Sequence, residues 1–155
     1  MQRIQKTISE IAGEGAVPVM SPGESVAAAV HRMREHHRDG VVVMREEMLV
    51  GIFTGRDFLH RVAAEGRDPA ATTLADVMTP RLESLRRDDS VAYAINLMAV
   101  RGFRNIPIVN DADRPVAMVS AHDIIDHLSE VLAELEPPND ETGPAARWVD
   151  LGGGG

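Results

Sequence analysis

A chain of 155 residues with a formal net charge of −8 has room for one compact domain, or for two half-domains each too small to bury a good core alone. The acidic balance argues against nucleic acid as the main partner, because neutralising a phosphate backbone needs clustered positive charge, and the absence of cysteine excludes disulfides, thiolate catalysis and Cys-ligated zinc. No run approaches the roughly 18 apolar residues that cross a bilayer, and Met1-Gln2-Arg3-Ile4-Gln5-Lys6 lacks the apolar segment of a secretory signal, so a cytoplasmic protein without membrane attachment is expected.

In chain order, residues 1–15 read as a short amphipathic lead-in through Ile4, Ile8 and Ile11. A first repeat spans 16–66. Its polar Glu24-Ser25 opens an amphipathic helix with Val26, Val30 and Met33 at helical spacing. β-rich runs at 41–44 and 49–54 flank the polar Arg45-Glu46-Glu47, as the arms of a hairpin do, and Phe58, Leu59 and Val62 mark a second helix. Residues 67–75, with the turn signal Asp68-Pro69, link this repeat to a second at 76–136. There Asp88-Asp89-Ser90 opens a helix through Val91, Ile95 and Met98, strands are expected at 106–109 and 116–120, and a long apolar-striped helix covers 124–135. Pro137-Pro138 stops it, and 137–155 read as a mobile tail whose Trp148 could dock on a partner.

The two repeats match residue by residue. An offset of 65 places Glu24-Ser25-Val26 on Asp89-Ser90-Val91, Met33 on Met98, and Val41-Val42-Val43 on Ile106-Pro107-Ile108. After one extra residue in the second hairpin, Thr54-Gly55-Arg56-Asp57 falls on Ser120-Ala121-His122-Asp123. At the same offset of 65, residues 11–15 show no likeness to 76–80.

Both junction motifs set a hydroxyl three residues before a carboxylate at a strand-to-helix turn. That pattern is a capping box, which satisfies free amides without any ligand. It is also the chemistry of a nucleotide site: helix-start amides attract phosphate, a hydroxyl donates to it, and an ionised Asp accepts from the two hydroxyls of a ribose. Both readings stand. Arg38 and Arg104, preceding the first strand of each copy, are further phosphate candidates, or else solvated helix-end charges. Fifteen of the sixteen basic residues are Arg, whose planar fork suits phosphate. His36-His37 and the Asp123/His127 pair lack a third ligand, so no metal site is expected. No nucleophile-base pair stands out, so no enzyme is expected.

Together, the duplicated unit, Gly51-Ile52-Phe53-Thr54-x-x-Asp57, Val119-Ser120-x-x-Asp123, the run from Arg101-Gly102-Phe103-Arg104-Asn105 into Ile106-Pro107-Ile108-Val109, and Asp76-Val77-Met78-Thr79-Pro80 resemble a tandem pair of CBS domains over about residues 4–135. The resemblance implies an α/β (α+β) module of two pseudo-twofold-related helix-strand-strand-helix halves. Two small three-stranded sheets would pack together and leave two clefts for ligands such as AMP, ADP, ATP or S-adenosylmethionine. Carried over by position, Asp57 and Asp123 would hold ribose hydroxyls, and Thr54 and Ser120 would approach ribose or phosphate. Arg56 would face phosphate, and backbone near Val41 and Ile106 would border the base. The resemblance further implies a homodimer joined through the apolar second helices and a separate downstream protein partner, in a regulatory role. A ligand-free dimerisation or scaffold module is the alternative. Two departures make the sites unequal: His122 stands where Arg56 stands, and Ala117 replaces the usual glycine. An imidazole carries less charge than a guanidinium at neutral pH, so phosphate pairing at His122 would be weaker and would strengthen on acidification.

Overall fold

Residues 6–12, 17–80 and 83–135 are described by the structure, a computed structural model. The elements run α1 (Ile8–Ile11), β1 (Val19–Met20), α2 (Val26–Glu35), β2 (Gly40–Arg45), β3 (Met48–Thr54), α3 (Gly55–Asp57), α4 (Leu74–Val77), β4 (Thr79–Pro80), α5 (Val91–Arg101), β5 (Asn105–Val109), β6 (Pro115–Ser120) and α6 (Ala121–Leu135). α3 continues without a break as a π-helical segment, Phe58–Ala63, carried by five-residue backbone bonds such as Ala64 N–H to Leu59 C=O at 3.0 Å. Ile4 and the 137–155 tail with Trp148 lie outside the described residues.

The helices start where the sequence places hydroxyls. Ser25 accepts from the Ala28 amide at 3.2 Å and Ser90 from the Tyr93 amide at 3.1 Å, each satisfying one of the donors a helix start leaves free. α5 ends at Gly102, whose φ of 72° lies in the left-handed region that glycine enters without strain. α2 buries Val26 and Ala29 and leaves Val30 40% exposed, so its core face is rotated from the Val26-Val30-Met33 stripe.

β1 pairs in parallel with β2, and β2–β3 and β3–β4 are antiparallel, giving one four-stranded sheet. β5 and β6 form an antiparallel pair, to which Leu85 adds a parallel bridge at Ile108. The hairpins carry bulges at equivalent places, Val43/Met44 and Ile108/Val109. The expected three-plus-three division of strands is therefore shifted, because β4 pairs with Gly51 and Ile52 of the first sheet. Gly51 permits the close approach: a Cβ there would meet Met78 Sδ at 2.7 Å and the Thr79 carbonyl oxygen at 2.9 Å.

Each half also receives a helix from the other's leading segment. Leu74 and Val77 of α4 join Val26, Val41, Val43, Phe53 and Val62 in the first core, and the Leu74 amide donates to Glu24 C=O at 2.9 Å. Reciprocally, Ile8 and Ala12 join Leu85, Val91, Ile106, Ile108 and Ile124 in the second core, and the Ile8 amide donates to Asp89 C=O at 2.9 Å. The isolated bridges Thr7–Ser90 and Ser25–Thr73 are the same contact made twice. The lead-in is thus a first copy of α4: Thr7-Ile8-Ser9-Glu10 matches Thr73-Leu74-Ala75-Asp76, and both are capping boxes. The likeness lies at an offset of 66, one residue from the register in which 11–15 and 76–80 disagree.

The two sheets meet through Val42, Ile52 and Met118, flanked by Val17, Met44 and Leu49. At the hairpin tips Arg114 pairs with Glu47. The strand-helix junctions of both halves lie at the far ends of β3 and β6, and there the halves part. Among the described residues no helix is long and apolar enough to cross a membrane.

Candidate functional site

The parted ends enclose a cleft of about 770 Å³, within the ~300–1,000 Å³ of small-molecule sites. One wall is the end of β3 and the start of α3, through Ile52, Thr54, Arg56 and Asp57; the other is the end of α5 and the β6–α6 junction, through Phe103, Arg104, Asn105, Ser120 and His122. A second, apolar chamber of about 410 Å³ adjoins it, lined by Ile95, Met98, Ala99 and Ile124 and sharing Arg56, Phe103, Arg104 and Ile125 with the cleft.

Both junction motifs are complete capping boxes. The Asp57 Oδ2 accepts from the Thr54 amide at 2.9 Å and the Thr54 hydroxyl at 3.0 Å. Asp123 Oδ2 accepts from the Ser120 amide at 2.7 Å and hydroxyl at 2.8 Å. The second oxygens differ. Asp57 Oδ1 accepts from the Thr79 hydroxyl at 2.9 Å and lies 3.8 Å from Arg61 Nε, so this carboxylate, 7% exposed, is saturated from within. Asp123 Oδ1 accepts no hydrogen bond from the other described residues, and Asp123 is not among the residues that line the cleft.

Charge in the cleft runs against that of the whole chain. Arg56, Arg61, Arg101 and Arg104 line it, with Asp39 and Asp57 the only carboxylates on its wall among the described residues. Arg61 is committed to the Val77 and Met78 carbonyls at 3.1 and 2.7 Å. Arg101 pairs with Glu83 at 3.3 Å and His122 with Asp126 at 3.4 Å. The Arg56 and Arg104 side chains make no hydrogen bond or ion pair with other described residues. They come from opposite halves and face the same space, an arrangement suited to an anion held from two sides.

Six sequence-nominated residues therefore share one cleft: Thr54, Arg56, Asp57, Ser120, His122 and Arg104. Arg38 ends up at the C-terminal side of α2, its amide bonded to Met33 C=O at 2.9 Å, away from the lining. Val41 and Ile106 are 0% exposed and face the two cores, while their neighbours Asp39 and Asn105 reach the cleft. Ile52, Thr79, Arg61 and Phe103 belong to the site without having been nominated. Thr79 and Phe103 stand in the Met78-Thr79-Pro80 and Arg101-Gly102-Phe103 segments that carry part of the resemblance. Among the described residues no group of three or more metal-ligating side chains converges.

The CBS domain family model matches the chain twice, at residues 8–64 and 74–130. An uncharacterized protein of Methanopyrus kandleri is 31% identical over 117 residues, which take in 75% of this chain and 60% of that relative. The CBS domain-containing protein YhcV of Bacillus subtilis is 32% identical over 108 residues, 70% of this chain and 76% of YhcV. The structure of the CBS domain pair of protein MJ0100, in complex with 5′-methylthioadenosine and S-adenosyl-L-methionine, superposes with a TM-score of 0.71 at 21% identity, covering 79% of this chain and 99% of that one. Two matches of the family model, one on each half of a duplicated fold, make the chain a member of the CBS domain family, carrying the domain as a tandem pair.

Proposed function

We propose that the chain is a regulatory ligand-sensing module of the cytoplasm that binds an adenine nucleotide or related adenosine ligand, AMP, ADP, ATP or S-adenosylmethionine, rather than catalysing a reaction. The anionic group sits between Arg56 and Arg104, and the flat base lies against Ile52, Phe103 and Ile125. The observation that carries this reading is the pair of guanidiniums, one from each half, without partners among the described residues on a chain of net charge −8. That MJ0100's CBS pair holds adenosine derivatives supports the ligand class. A ligand touching both halves fixes their relative orientation, and the outer helices pass that shift to a second copy and to a downstream protein.

A second reading is favoured by one observation: both capping boxes are complete without a ligand. On it the module is a ligand-free dimerisation or scaffold unit. Thermal unfolding against AMP, ADP, ATP, S-adenosylmethionine and NAD separates the two. A ligand at about a hundredfold over its dissociation constant adds roughly 2.7 kcal/mol, a shift that Arg56→Ala and Arg104→Ala diminish on the sensing reading. No shift with any of the five supports the scaffold.

A further inference from the structure

Resting on the adenosine-ligand reading of the cleft, we infer that Asp39 determines which member of that class is taken. It selects an adenosine derivative with an amino-acid end, ammonium beside carboxylate, over a nucleoside polyphosphate. Asp39 is the counterpart of Arg104 at the offset of 65, as Arg56 is of His122 at 66. The backbone seats the first pair alike: the Gly55 amide donates to Asp39 C=O at 3.0 Å, and the Ala121 amide to Arg104 C=O at 2.8 Å. All four residues line the cleft. The fold is thus symmetric where the charge is not, with a carboxylate in the first half where the second has a guanidinium.

The Asp39 side chain is exposed and makes no hydrogen bond or ion pair with other described residues. The other carboxylate on the wall, Asp57, is occupied by Thr54 and Thr79. Arg61, Arg101 and His122 have their own acceptors. The charges left facing the cleft without partners among the described residues are therefore two guanidiniums, Arg56 and Arg104, and one carboxylate, Asp39. A polyphosphate brings several negative charges into this space and sets part of them against Asp39, a like-charge juxtaposition that disfavours it. An amino-acid end matches the set: its carboxylate lies between the guanidiniums, and the ammonium on the adjoining carbon donates to Asp39 beside the Arg56 turn.

Isothermal titration of the unaltered protein, Asp39→Asn and Asp39→Arg, each checked for native circular dichroism, tests this with three probes. S-adenosylhomocysteine carries the amino-acid end, 5′-methylthioadenosine has the same thioether-linked adenosine without it, and magnesium-free ATP carries phosphates instead. The unaltered protein should bind S-adenosylhomocysteine most tightly. Asp39→Asn should weaken that ligand about tenfold, the worth of one charge-assisted hydrogen bond, leave 5′-methylthioadenosine unchanged and strengthen ATP. Asp39→Arg should strengthen ATP further. Equal weakening of all three ligands by Asp39→Asn would overturn the inference and make Asp39 an acceptor for the ribose they share. Affinities unmoved by either variant, or ATP bound most tightly by the unaltered protein, would overturn it while leaving the cleft an adenosine site. Failure of all three to bind the unaltered protein overturns that reading of the cleft and the inference together.

Discussion

The hydroxyl of Thr79 donates to the carboxylate of Asp57 across 2.9 Å, fastening the segment that leads into the second half onto the first helix start of the cleft. Asp57 is therefore a structural acid, its carboxylate tied to Thr54 and Thr79. Asp57→Ala leaves the Thr54 amide and the Thr79 hydroxyl without their acceptor and should cost about 2–3 kcal/mol. Asp123→Ala, which empties only a cap, should cost about 1 kcal/mol. Urea unfolding of the two variants checks the difference; equal losses would mean that the Thr79 bond contributes nothing.

Ligand recognition is better probed at the arginines. Arg56→Ala and Arg104→Ala remove charges without hydrogen-bond or ion-pair partners among the described residues, so each should leave the unfolding midpoint unchanged. Each should weaken nucleotide binding about 10-fold or more, the worth of one charge-assisted hydrogen bond. Isothermal titration gives the affinity and denaturation the control. Unaltered affinity in both variants would move the anion elsewhere.

At Gly51 the prediction is steric. Alanine there drives a methyl group into Met78 Sδ and the Thr79 carbonyl; the sulfur can yield but the backbone of β4 cannot do so cheaply. A loss of about 1–3 kcal/mol is expected, with early hydrogen exchange at Ile52 as β4 lifts away. A neutral Gly51→Ala would mean that β4 moves aside freely.

The α4 cap supplies a pH dependence. Hydrogen bonds from the Thr73 hydroxyl and amide hold the Asp76 carboxyl below its ordinary value of 3.8. A depressed native value means that the unfolded state takes up the proton first, so the cap's stabilisation is fully present above pH 3.8 and is lost as pH falls through the native value. Thr73→Ala should flatten that part of the stability curve between pH 5 and 2, as measured by denaturant midpoints at a series of pH values. An unchanged curve would assign the acid loss to other carboxylates.

Much of this architecture was legible because duplication repeats each signal. Ser25 and Ser90, the two hairpins and the paired Thr54/Asp57 and Ser120/Asp123 turns all reinforce one another at nearly constant spacing. The reciprocal placement of α1 and α4 was not legible. Four-residue helices carry too little periodicity to be read, and the match of Thr7 to Thr73 sits one residue away from the register of the strands. The apolar part of the cleft lining was hard to read for a different reason. Val41 and Ile106 alternate inward along their strands toward the cores, and the cleft is lined instead by strand ends and the turn at Phe103, where side-chain direction depends on how the halves part.

The crossed positions of α1 and α4 set an order on folding during synthesis. The first core needs residues up to Val77 and can close soon after they emerge, with Leu74 and Val77 filling it. Ile8 finds its site only among Leu85, Ile106 and Ile124, so α1 must wait, apolar face uncovered, until the residues through Ile124 have left the ribosome. Ile8 is thus made before the first core and buried after it, and a ribosome stalled between the halves would present Ile8 and Ile11 to whatever chaperone attends it.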